Sequence, residues 1–129
     1  MPVLNIPLSL PKKLKTSQFD LNHPPDVWTL SEEDQVNFAL QLMCSLNVDT
    51  VLKVNVNQLR AFIDDVRKGY LDNPYHSFAH AIDVAWVCQK FVEDFSASYY
   101  LEQADIVALM ISALCHDVGH VHFPFSLVY

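Results

Sequence analysis

At 129 residues the chain is long enough for one domain and too short for two comfortable ones. A formal net charge of −7 argues against a nucleic-acid partner, because phosphate backbones are held by clustered Lys and Arg, and the eight basic residues here are scattered apart from Lys12, Lys13 and Lys15. With 51% hydrophobic and 18% charged residues the composition is that of a folded soluble protein, and two glycines argue against a turn-rich all-β fold or a glycine-rich phosphate loop.

Residues 1–18 are spaced by Pro2, Pro7 and Pro11 and have no steady periodicity, so they read as a linker or arm. They do not read as a signal peptide, because the positive charges follow the apolar stretch instead of preceding it. The segment from Phe19 to Trp28 holds Pro24 and Pro25 and is expected to be irregular and partly packed. Ser31 can cap a first helix, with Asp34 three residues on and Val36, Ala39, Leu40 and Met43 at i, i+3, i+4, i+7. After a short turn at residues 47–49, a second helix is expected from about Asn57, with Leu59, Phe62, Ile63 and Val66 inward, Asp64, Asp65, Arg67 and Lys68 on the wet side, and Gly69 at its end.

Asn73-Pro74 breaks the chain before a third helix, from Tyr75 or His76 to Phe95, with Val84, Val87, Phe91 and Phe95 as its apolar seam. Residues 96–100 form a loop. A fourth helix, from Glu102 to Cys115, is apolar nearly all round and should lie centrally. Its apolar run, 106–114, is far shorter than the roughly 20 residues of a membrane span, so no membrane association is expected and the cytoplasm is the default location. Cys44, Cys88 and Cys115 form no CxxC pair and read as reduced core residues without a nucleophilic role. The expected fold class is all-α, a helical bundle.

Five of the six histidines fall in the second half of the chain. His76 and His80 are i, i+4 and share a face if their segment is helical. His116 and Asp117 follow the most apolar helix, where an ionised carboxylate is costly unless paired or metal-bound. Separately, the first pair can be an incidental helix face and the second a hydrogen-bonded structural couple. Together they offer imidazole and carboxylate donors from two helices, a set that suits Zn²⁺ or a similar divalent ion.

The stretch from Asn73 to Val84, NPYHSFAHAIDV, resembles the NPYHN-x-x-HA-x-DV signature of class I 3',5'-cyclic-nucleotide phosphodiesterases, with Ser77 in place of the usual Asn. His116-Asp117-Val118-Gly119-His120 resembles the HD-x-[DG]-H motif of the same family, and the likeness extends from about residue 19 to 120. The resemblance implies the amino-terminal part of an HD-type catalytic domain over residues 19–129, and hydrolysis of cAMP or cGMP to the 5'-monophosphate in signal transduction. It implies a Zn²⁺ held by His80, His116 and Asp117, with Asp117 bridging to Mg²⁺ or Mn²⁺. His76 takes the place of the general acid that protonates the leaving O3', and His120 that of a residue helping to hold water at the metals. Tyr75 is expected to pack beneath the site, and Asp83 to be structural.

After His120 the family ordinarily continues with Pro-Gly, whereas this chain reads VHFPFSLVY; His122 matches no ligand position. The departure suggests a truncated domain lacking a fourth ligand and the purine pocket, with little turnover by the chain alone and apolar faces open to other helical segments. Two alternatives are a non-catalytic helical interaction module, or short isoform modulating a full-length enzyme, and another HD-type phosphohydrolase.

Overall fold

A computed structural model of the chain describes residues 18–120. Most of the expected arm, His122 and the rest of 121–129 lie outside the described residues. Within them the fold is all-α, as expected: five α-helices and two short 3₁₀ turns, with no strand among the described residues.

Helix α1 (Glu32–Ser45) begins where Ser31 Oγ accepts the Asp34 N–H, satisfying one of the donors a helix start leaves free. Asp34 does not close a reciprocal box; its carboxylate accepts from the Gln18 amide instead. Asn47, at φ 59°, turns the chain into a five-residue helix α2 (Val48–Leu52), where the sequence pattern suggested only a turn. Helix α3 (Val56–Gly69) starts slightly before the expected Asn57, because Asn55 and Gln58 form a full capping box.

Helix α4 (Phe78–Glu93) is capped by Ser77, and α5 (Gln103–Cys115) follows Glu102, whose backbone N–H donates to the Asp105 carboxylate at 2.9 Å. A 3₁₀ turn, Ala97–Tyr99, links them. Helix α1 packs against α2, α3 and α4, and α5 packs on α4 and α2. The centre therefore belongs to α1, with Val36, Phe38, Ala39, Leu40, Leu42, Met43 and Cys44 all buried. Helix α5 buries Ile106, Val107, Met110, Ala113 and Leu114 but leaves Ala104, Ala108 and Ser112 exposed, so it is not the central element its composition suggested.

The irregular segment before α1 is packed, as expected. The Gln41 side chain accepts from the Phe19 N–H and donates to the Phe19 carbonyl, Trp86 Nε1 donates to the Leu21 carbonyl, and Lys90 Nζ donates to Asn22. Val27 is buried in a 3₁₀ turn, Val27–Thr29, against α4.

Of the expected α4 seam, Val84 packs against the core, but the rest lies on the wrong side, with Phe95 beyond the end of the helix. Val87, Phe91 and Phe95 are exposed, at 40%, 54% and 69%, while Ala81, Ile82, Ala85, Gln89 and Val92 are the buried residues. Close helix–helix approach selects small alanines on the inner face, and the buried Gln89 interrupts the apolar pattern that would have marked it. In α3, Leu59, Ile63 and Val66 are buried as expected, but Phe62 is exposed. Consistent with this packing, Ile82→Ala should cost about 2–5 kcal/mol and Phe91→Ala no more than about 0.5 kcal/mol in urea unfolding. A larger loss at Phe91 would mean that the other face of α4 is the packed one.

Candidate metal centre

The site forms where the amino-terminal turn of α4 meets the turn that follows α5. Asn73 shapes the approach to α4. Its side chain is buried, and its Oδ1 accepts the N–H groups of Tyr75 and His76 at 3.0 and 3.2 Å. Ser77 Oγ then accepts the His80 N–H and starts the helix. Serine and asparagine are both strong N-caps, so Ser77 performs the local work that an asparagine would.

His76 therefore lies ahead of the helix and does not share an α4 face with His80, contrary to the i, i+4 reading. Their ring centroids are 6.3 Å apart, and the His76 ring instead lies against His120, at 3.9 Å between centroids. Tyr75, expected beneath the site, is 69% exposed, because the Asn73 turn directs it outward.

His116 and Asp117 stand just past the last turn of α5. The His116 Nδ1–H donates to the Ala113 carbonyl at 2.7 Å. That bond fixes the tautomer of the neutral ring and leaves the Nε2 lone pair facing the Asp117 carboxylate, with Nε2 and Oδ2 2.9 Å apart. His80 Nε2 approaches the same oxygen at 3.7 Å. Donor atoms of His80, His116 and Asp117 all lie within 4.8 Å of one another. Lone pairs aimed at a carboxylate oxygen repel unless a cation stands between them. Two imidazoles and one carboxylate form the mixed nitrogen and oxygen set that suits Zn²⁺ and related divalent ions, so the residues present fit such a metal.

The family description "3'5'-cyclic nucleotide phosphodiesterase" matches residues 75–123, a span that holds all of these histidines and Asp117. The chain is 35% identical over 99 residues to the 3',5'-cyclic-nucleotide phosphodiesterase regA of Dictyostelium discoideum, covering 76% of this chain and 12% of that protein. It is 30% identical over 95 residues to the human high affinity cGMP-specific 3',5'-cyclic phosphodiesterase 9A, covering 74% of this chain and 16% of that protein. A cone cGMP-specific phosphodiesterase subunit alpha' of Bos taurus is 26% identical over 118 residues, 92% of this chain and 13% of that protein.

The chain belongs to the cyclic-nucleotide phosphodiesterase family. It spans less than a fifth of the length of these curated relatives.

Two phosphodiesterase-motif neighbours had no role in the sequence reading beyond marking the end of α3. Tyr70 Oη donates to the Leu114 carbonyl at 2.6 Å and accepts from the Asp117 N–H at 3.3 Å. Burial raises the Tyr70 phenol above its ordinary pKa, and the nearby Asp117 charge pushes the same way, so the hydroxyl keeps the proton it donates. Gly69 does not end α3 by adopting a left-handed conformation; it sits within the helix and makes room for Val118, whose Cγ1 would be 2.9 Å from an added Cβ.

Burial raises the pKa of both Cys88 and Cys115, which lowers the thiolate fraction available for attack. In the folded chain near pH 7.5, both should alkylate with iodoacetamide more slowly than in urea-unfolded chain, as read by peptide mass spectrometry. Equal rates would show that neither is a buried thiol of ordinary reactivity.

Proposed function

We propose that the chain contributes the metal-ligating core of a cyclic-nucleotide phosphodiesterase, the reaction being hydrolysis of cAMP or cGMP to the 5'-monophosphate. The observation that carries this reading is the convergence of His80, His116 and Asp117 on one point, within the segment matched by the family. His80, His116 and Asp117 would hold Zn²⁺, and the remaining carboxylate capacity of Asp117 would serve a harder ion such as Mg²⁺ or Mn²⁺. When bound, such ions supply positive charge to the phosphate and make water a better nucleophile at neutral pH.

The other residues take roles that their positions allow. His76, held by the Asn73 turn and lying beside His120, would give a proton to the departing ribose oxygen, a task that imidazoles commonly perform. His120, against the His76 ring, would limit how that ring turns. Among the described residues no helix is long and apolar enough to cross a membrane, which agrees with a small-molecule substrate met in the cytoplasm.

A second reading is favoured by one observation, the open face of α4 with Val87, Phe91 and Phe95. In that reading the chain is a helical module that associates with other helical segments and needs no metal.

Metal content separates the two. Chain stripped with a chelator and reloaded with Zn²⁺ should retain it after gel filtration, and His80→Ala or Asp117→Ala should weaken retention by roughly tenfold or more, since each removes a ligand. With Co²⁺ in place of Zn²⁺, addition of cAMP or cGMP should perturb the visible spectrum and uncharged adenosine should not. Equal metal content in wild type and both variants would leave the interaction-module reading standing alone.

A further inference from the structure

Helix α5 ends at Cys115, so the helix itself does not fix where His116 and Asp117 stand relative to His80 on α4. Local bonds, Val118 N–H to the Cys115 carbonyl and His120 N–H to the Asp117 carbonyl, shape the turn but do not anchor it to the rest of the protein. The anchors come from the end of α3. Tyr70 Oη joins the Leu114 carbonyl to the Asp117 amide, and the Gly69 carbonyl accepts the Gly119 N–H at 3.0 Å. These contacts bracket the two ligands, one contact before His116, one at Asp117 and one after it. Tyr70 is itself held, its ring packed 5.8 Å from that of Phe78 in the first turn of α4, two residues before His80. One side chain therefore touches both elements that supply ligands.

We propose that Gly69 and Tyr70 form a positioning clip that sets the place of Asp117 relative to His80. The proposal rests on the reading that His80, His116 and Asp117 hold a divalent ion. Neither clip residue would touch the ion. Tyr70 acts through a hydrogen bond to the Asp117 backbone, and Gly69 through the absence of a side chain where Val118 crosses α3. A Cβ at position 69 would stand 2.9 Å from Val118 Cγ1, so the valine next to Asp117 would have to shift to admit it.

Co²⁺ binding to the chain, followed by visible absorption, tests the clip beside thermal melting and hydrogen exchange at the Asp117 amide. Tyr70→Phe keeps the ring and removes only the hydroxyl. It should weaken Co²⁺ binding by about tenfold to a hundredfold, as loss of a supporting hydrogen bond at a metal site does, and speed exchange of the Asp117 amide in the metal-free chain. Gly69→Ala should also weaken binding although alanine favours the helical backbone there, and adding Val118→Ala should restore it. Should Tyr70→Phe fail to fold, the Gly69→Ala and Val118→Ala pair carries the test. Wild-type Co²⁺ affinity and wild-type amide exchange in Tyr70→Phe, or no rescue by Val118→Ala, would overturn the clip and leave the metal site intact. Failure of the wild type to bind Co²⁺ in a His80-dependent way would overturn the metal reading, and with it any positioning role for the clip.

Discussion

The proposed site turns on the contacts around the Asp117 carboxylate. His116 gives its Nδ1 proton to the Ala113 carbonyl, so its other nitrogen presents a lone pair to a carboxylate oxygen 2.9 Å away, with His80 aimed at the same oxygen. In the neutral ring that is two acceptors face to face, which costs energy in a partly buried place. A proton on an imidazole relieves the conflict for one pair. A divalent ion would relieve it for all three groups at once, and would also account for His80, from a different helix, standing at the same oxygen.

The helices deliver this cluster by their ends instead of their faces. The last turn of a helix carries partial negative charge on its free carbonyls and favours a cation nearby, and the proposed ligands His116 and Asp117 stand just there, after α5. Two of those terminal carbonyls, Ala113 and Leu114, are used to orient the cluster, one by His116 and the other by Tyr70. Satisfying a helix end and aiming a ligand are thus one act of hydrogen bonding. The same economy holds at α4, where Ser77 satisfies the helix start by accepting the backbone amide of His80, the third proposed ligand. Under the proposed function, mutations at such caps would disturb the spacing of the donors even though the cap side chains are not themselves donors.

How far this could be read from the sequence followed from the range of each interaction. Caps are local, so Ser31 was readable, and the apolar spacing of α1 and most of α3 placed their inner faces. Residue types in tight groups were readable as well, marking His76, His80, His116 and Asp117 as possible donors, and the family resemblance narrowed these to His80, His116 and Asp117. Orientation across elements was not readable. The inner face of α4 mixes Ile82 and Val92 with small alanines and a buried glutamine, which weaken its apolar signal, whereas its exposed face carries Val87 and Phe91. His76 was placed on the helix because its spacing to His80 fits one, but the Asn73 side chain, bonding two successive amides, holds it outside. Tyr70 lies 47 residues from Asp117, and no spacing rule reaches that far.

Charge gives the last step. The chain has a net charge of −7, and a cyclic nucleotide carries an anionic phosphodiester, so the overall field of the protein opposes the proposed substrate. The basic side chains that the structure pairs do not help: Arg67 is engaged by Glu32 and Asp64, Lys68 by Asp64, and Lys90 by Asp94 and Asn22. None of these lies in the His80, His116 and Asp117 cluster. Under the proposed function, attraction for a phosphate at this place would come largely from the bound ions, the largest local charges such a site can hold. An acidic chain with an anionic substrate is consistent on those terms. It also follows that removing metal should abolish attraction for the nucleotide together with the chemistry, because both originate in the same few ångströms around Asp117.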